Sequence, residues 1–175
     1  MKSMDAEVLE VNRLVFAIDT NVLLDFYAGG RTNTPESKRL VDRCISNDVH
    51  MIVACHQLKD LFYGMQVSLK RELREVGGEV SEAGAVAIRE AAWACVVNAA
   101  TLYEMVGADL SDVWMAIRYK TIHPDFEDDL VIAAAVRGNA THLVTNDQQL
   151  LRNTAKATSL VHAITSAEAL ALLAA

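Results

Sequence analysis

Val15-Phe16-Ala17-Ile18-Asp19-Thr20-Asn21 and Leu143-Val144-Thr145-Asn146-Asp147 follow one plan: an apolar run that stops on polar residues with a carboxylate among them. A short apolar run without polar alternation is what a strand buried on both faces of a parallel sheet looks like. In open α/β sheets, ligands bind outside the carboxyl ends of the strands. Two acids delivered there from opposite ends of the chain predict one shared acidic pocket. A bound divalent cation is the simplest charge to fill it.

Outward from these two stretches, strands and helices alternate. Residues 13–18 read as the first strand, with a helix over 22–27 closed by Gly29-Gly30. A helix near 35–47 and a strand at 50–54 follow. Apolar residues at 58, 61, 62, 65, 69 and 73 predict a helix over 56–75, ended by Gly77-Gly78. The alanine-rich stretch 81–105 reads as one long helix broken by Gly107. Asp109 or Ser111 then caps a helix to about Lys120. Pro124 opens another, apolar all round over 130–136 and therefore expected to be buried. A strand at 141–145, a short helix after Asp147, an edge strand near 159–164 and a last helix over 167–174 complete the chain. This alternation implies the α/β class, with a parallel sheet in one domain over residues 1–175.

Bulk composition agrees with a packed globular chain: 52% of residues are hydrophobic and 22% charged, and only two are proline. The net charge of −7 argues against a basic nucleic-acid coat, although acids gathered in a metal site would give the same sign. Basic residues are locally clustered, at Lys59, Lys70, Arg71 and Arg74 and again at Arg118 and Lys120. Cys44, Cys55 and Cys95 lack zinc spacing and read as small buried hydrophobes. No apolar run reaches the ~18 residues of a membrane span. Met1 to Asn12 has no signal-like apolar core, so a cytoplasmic location is expected.

The acids carry the chemistry. Asp19 and Asp147 each fit a helix N-cap as well as a ligand role. A third group, His123-Pro124-Asp125-Phe126-Glu127-Asp128-Asp129, fills the first turn of the buried helix, where the helix dipole favours acids. Asp125, Asp128 and Asp129 share one face by spacing, directed either at the sheet edge or at solvent. Asp60, on the helix after the second strand, also fits a solvated face beside Lys59. If these acids converge, each pair ~4 Å apart repels by about 4 kcal/mol at an effective dielectric near 20. Mg²⁺ or Mn²⁺ is the matching partner, since the ligands are hard oxygens. Two such ions would activate a water and stabilise a leaving oxygen.

The segments I-D-T-N-V-L-L-D, D-F-E-D-D-L-V-I-A-A-A and L-V-T-N-D-Q-Q-L, in this order over about residues 13–165, resemble the PIN-domain ribonucleases found as VapC-like toxins of toxin–antitoxin pairs. The resemblance implies a three-layer α/β/α fold with a mostly parallel central sheet. It also implies Mg²⁺- or Mn²⁺-dependent hydrolysis of RNA that leaves a 5′-phosphate. Asp19, Asp128 and Asp147 match family metal ligands, and Asp19 would hold the metal of the attacking water. Asp129 is a one-residue alternative to Asp128, and Glu127 an accessory carboxylate. Asp60 stands where the family usually has a catalytic Glu, one methylene shorter. Asn21 and Thr145 match polar positions that orient the carboxylates. The partners implied are RNA, an antitoxin protein and a second copy of the chain through helices of 81–120, with no membrane. His56 and His123 read as capping or surface histidines rather than phosphate contacts. Trp93 reads as core, while base stacking is open to Trp114.

Two rival readings are a non-catalytic PIN-like module that binds RNA or protein, and an aspartyl-phosphate phosphatase. The first draws on Asp60. The second wants an acid two residues after the nucleophile, where this chain has Asn21.

Overall fold

The computed structural model describes residues 14–156 and 161–174. Its five strands are β1 (Val15–Ile18), β2 (His50–Ala54), β3 (Glu104–Val106), β4 (His142–Val144) and β5 (His162–Ile164). All four pairings are parallel, in the order β3-β2-β1-β4-β5. Eight helices among the described residues flank them: α1 (Thr20–Tyr27), α2 (Thr34–Ser46), α3 (Gln57–Glu75), α4 (Glu82–Leu102), α5 (Leu110–Tyr119), α6 (Phe126–Arg137), α7 (Gln148–Thr154) and α8 (Ser166–Leu172).

Alternate strand residues face opposite layers, as the pleat requires. Phe16, Ile18, Met51, Val53 and Val144 join a core with Leu23 of α1, Leu40 of α2, Leu61 and Met65 of α3, Ala92 and Ala99 of α4 and Ala169 of α8. Ala17, Ile52, Ala54 and Leu143 face the other way, onto Val131, Ile132 and Ala135 of α6 and Leu150 of α7. The result is three layers, α/β/α, with strands apolar on both sides. That is why the strands read as continuous apolar runs. Helix α6 is buried along most of its length, as its all-round apolarity predicts.

The chain runs β1, β2, β3 in one direction across the sheet and then returns to place β4 and β5 on the other side of β1. The strand order therefore reverses between β1 and β4. Crevices at such reversals are where α/β sheets bind ligands.

Three local expectations are corrected. The stretch read as one helix to 105 stops at Leu102, and Glu104–Val106 becomes the edge strand β3, in register with Ile52–Ala54. Three residues carry no periodicity of their own, and the alanine-rich helix before them masks the change. Helix α1 starts at Thr20, directly after β1, because Asp19 is its N-cap. Pro124 precedes α6, but Asp125 caps it, accepting from Glu127 N at 2.9 Å and Asp128 N at 3.4 Å. The first-strand residue 13, the start of the expected edge strand at 159–160, and the segment Met1 to Asn12 lie outside the described residues.

Burial also departs from expectation. Cys44 is buried, but Cys55 is exposed and Cys95 half-buried, so only one thiol is a core hydrophobe. Trp93 is 51% exposed, its ring tilted against Phe62 with centroids 5.0 Å apart, so it belongs to the surface. Helix α4 is apolar and long enough to cross a membrane by composition, yet it packs along α3.

Candidate metal centre

Asp19 is placed by its sequence neighbours on both sides. β1 delivers it to the crevice, and α1 starts on its carboxylate: Oδ1 accepts from Thr20 N at 2.6 Å. Oδ2 accepts from the Asn21 amide and from Thr145 Oγ1, the latter at 2.7 Å. Thr145, fully buried at the end of β4, accepts in turn from Asn21 Nδ2 and Asp147 N, each at 3.0 Å. One hydroxyl thus fixes both strand ends and the backbone that leads into Asp147. Asp147 caps α7, with Oδ1 accepting from Gln149 N at 2.6 Å and Leu150 N at 3.0 Å. Both capping bonds fall on one oxygen, so the cap and ligand readings of this residue coexist.

Asp19 is only 3% exposed. Burial, together with the negative charges of Asp128 and Asp147, pushes its pKa up to about 7, against the opposing bond from Thr145. Asp128 is likewise raised, first by burial and also by Asp125 and Asp147. The charges of Asp128, on α6, and Asp147, just past β4, both act on Asp19 at the end of β1, so the three acids lie near one another across the reversal of strand order. Asp129 faces elsewhere. A helix turns about 100° per residue, and Asp129 is 2% exposed with its Oδ1 unpaired, its pKa raised to about 6 by burial. Asp125 is spent on the cap. The three acids that share a face by spacing therefore separate in the structure, and Asp128 is the one whose charge acts on Asp19.

Asp60 joins a neighbouring group. Lys59 Nζ lies 3.1 Å from its Oδ1, its Oδ2 is buried without a hydrogen-bond partner, and it interacts with Glu127. Burial and the carboxyl of Asp60 push Glu127 up to about 7. Both ring nitrogens of His56 are buried without partners nearby, and burial lowers its pKa. His56 occupies the N-cap position of α3, yet its side chain makes no capping bond.

Three polar residues beyond the predicted set hold the crevice. Gln57, 1% exposed, donates to Ile18 O at 3.1 Å and Thr20 Oγ1 at 3.2 Å while accepting from Ala54 N at 2.8 Å, which ties the end of β2 to that of β1. Asn146 donates from its backbone to Asn21 Oδ1 at 2.9 Å and from its amide to Asp25 Oδ2 at 2.9 Å. Asp25 is 2% exposed and also holds Arg31, Nε to Oδ1 at 2.6 Å. His123 is 2% exposed and bonds Asp128 Oδ2 through Nε2 at 2.7 Å. It is thus neither a cap nor a surface residue. Its bond favours the ionised form of Asp128.

No group of three His, Cys, Asp or Glu side chains among the described residues is already gathered tightly enough to hold a metal ion. The donor set nevertheless fits one. Asp19, Asp128 and Asp147 are hard oxygen ligands, the set that suits Mg²⁺ or Mn²⁺. The pKa of Asp19 is raised first by burial and further by Asp128 and Asp147, and a dication bound there would reverse that shift.

Comparison with known proteins places this chain in a family. A family profile described as PIN domain matches residues 15–149, and the chain belongs to that family. The fold is similar to VapC20 of Mycobacterium tuberculosis, described as a Sarcin-Ricin loop cleaving toxin. The identity is 15% and the TM-score 0.55, covering 81% of this chain and 95% of that one. It is also similar to VapBC2 of Rickettsia felis, solved bound to a DNA fragment from its promoter, with 13% identity and a TM-score of 0.57, covering 87% and 98%. A search of curated proteins finds no match.

Proposed function

We propose that this protein is a Mg²⁺- or Mn²⁺-dependent endoribonuclease, the toxin of a toxin–antitoxin pair, working in the cytoplasm. The observation that carries the reading is the buried Asp19 set against Asp128 and Asp147 at the reversal of strand order. Membership of the PIN family and the fold shared with VapC20 support it.

Asp19, Asp128 and Asp147 would hold the cation, which supplies Lewis acidity and a water of lowered pKa when bound. Asn21 and Thr145 aim the Asp19 carboxylate, so its geometry is set before substrate arrives. Glu127, whose pKa burial and the neighbouring Asp60 raise to about 7, would act as an accessory carboxylate able to supply a proton to a departing oxygen. An antitoxin and a second copy of the chain are the proposed protein partners. Exposed Tyr63, Val67, Trp93 and Val97 on α3 and α4 offer the apolar surface such contacts need.

The test is cleavage of structured RNA by purified protein with and without Mn²⁺. Wild type should cut with the metal and stop with chelator, and Asp19→Asn should lower the rate by about 10²- to 10³-fold, as loss of a principal electrostatic group does. Folded wild type that binds RNA but leaves it intact in Mn²⁺ would favour the rival reading, a non-catalytic PIN-like binding module. Asp60, standing where the family usually has a Glu, is the feature that favours that rival.

A further inference from the structure

Asp128 sits in the first turn of α6, whereas the residue that steadies it comes from the preceding loop. His123 is held there by its own backbone, N to Tyr119 O at 3.0 Å, and its ring is buried to 2% exposure. Nε2 lies 2.7 Å from Asp128 Oδ2, and Nδ1 lies 3.0 Å from Asn153 Nδ2 on α7. An amide nitrogen only donates, so Nδ1 is the accepting nitrogen and the proton resides on Nε2, aimed at the carboxylate. Each polar atom of this buried ring has a partner, and the three groups come from a loop, α6 and α7.

We propose that His123 is a positioning residue for cation binding: it fixes one oxygen of Asp128 so that the other faces Asp19 and Asp147, and Asn153 sets the tautomer that allows this. The inference rests on the metal-dependent reading of the site and goes beyond it, because nothing in that reading needs a histidine. Partners that orient a ligand from behind typically govern metal affinity or activity by 10- to 100-fold.

Four proteins test it: wild type, His123→Leu, His123→Gln and Asn153→Leu. Glutamine places an amide N–H near the position of the imidazole Nε2, so it restores the donor without the ring. Mn²⁺ affinity is read by calorimetry in the absence of RNA, alongside melting temperature and the kcat and KM of RNA cleavage. His123→Leu should weaken Mn²⁺ binding about 10- to 100-fold and lower kcat, with KM for RNA within about twofold of wild type. His123→Gln should recover most of both losses, and Asn153→Leu should fall between wild type and His123→Leu. A folded His123→Leu with wild-type Mn²⁺ affinity overturns the proposal, as does His123→Gln behaving like His123→Leu. Should His123→Leu fail to fold, the decision passes to the other two. Wild-type affinity in Asn153→Leu, or Mn²⁺ binding by His123→Gln more than about tenfold weaker than wild type, then overturns it. Wild type that neither binds Mn²⁺ nor cuts RNA overturns the functional reading itself, an outcome separate from the failure of His123.

Discussion

Thr145 Oγ1 donates to Asp19 Oδ2 at 2.7 Å, joining residues 126 positions apart. The same oxygen accepts from Asn21 Nδ2 and Asp147 N. Its proton and both lone pairs are thus in use, in a place with no access to water. β1 and β4 are neighbours in the sheet, and this bond holds their carboxyl ends in the relation the acidic pocket needs.

Thr145→Val keeps the shape and removes the hydroxyl. Asp19 Oδ2 then loses one of its two donors and Asn21 Nδ2 one of its two acceptors, while Asp147 N loses its acceptor, at about 1–3 kcal/mol for a group left buried and unpaired. Urea denaturation should show the loss, with Thr145→Ser close to wild type. The pKa of Asp19 should rise further, since the Thr145 bond is the main influence holding it down. Mn²⁺ binding near pH 7 should therefore weaken as well.

Stability without metal should fall as pH rises from about 6.5 to 8. Asp19 has its folded pKa raised from 3.8 to about 7 and Glu127 from 4.5 to about 7, so the folded state holds more protons than the unfolded one in this range. Stability drops with pH from the unfolded values near 4 until the folded groups have ionised, by up to about 4 kcal/mol in all for a buried group shifted three units, of which about 1 kcal/mol falls between pH 6.5 and 8. His56 and His142 are lowered by burial and tilt the curve the other way, but only below their ordinary 6.5. Glu168 and Asp109 are lowered too and are ionised in both states above pH 6. Melting curves at pH 6.5 and 8 with and without Mn²⁺ check this: the metal should stabilise more at pH 8. Equal stabilisation at both values would disconnect Asp19 from the cation.

Asn146→Asp should make the fold pH-dependent in a second place. Asn146 Nδ2 donates to buried Asp25 Oδ2 at 2.9 Å. A carboxylate there would face Asp25 at about 3 Å, a repulsion of about 5 kcal/mol at an effective dielectric near 20. One of the pair must then take up a proton. The variant should fold near pH 5 and melt well below wild type at pH 8, whereas Asn146→Ala should show a smaller loss at both. Circular dichroism melts at the two pH values distinguish them.

What could be read in advance follows the physics of each residue. Asp19 and Asp147 were legible because an apolar strand run announces its own end, and whatever follows the end reaches the crevice. Helix α6 was legible through its apolar circumference. β3 was not, since Glu104-Met105-Val106 pairs with β2 through backbone bonds that any side chains would allow. Gln57, Asn146 and Asn153 are ordinary surface amides by type, and only partners 30 to 121 residues away give them their roles. His123 was misjudged for the same reason, its partner Asn153 lying on another helix. Spacing grouped Asp125, Asp128 and Asp129, yet one caps α6, one acts on Asp19 through its charge and one is buried apart. Helical periodicity gives a face but not what stands opposite it.

Gln57 shows how much one such amide holds. Its Oε1 accepts from Ala54 N and its Nε2 donates to Ile18 O and Thr20 Oγ1, the atoms just before and after Asp19. Gln57→Leu keeps the volume and leaves Ala54 N and Ile18 O buried without this partner, a cost of about 1–3 kcal/mol each. Gln57→Glu keeps the acceptor for Ala54 N but turns a donor into a second acceptor facing Ile18 O, beside the carboxylate of Asp19. It should therefore destabilise at pH 8 more than Gln57→Leu and recover at pH 5, where the acid takes up a proton and can donate again. Denaturant midpoints at the two pH values test this ordering. A Gln57→Leu variant as stable as wild type would show that the end of β1 is held without this bridge.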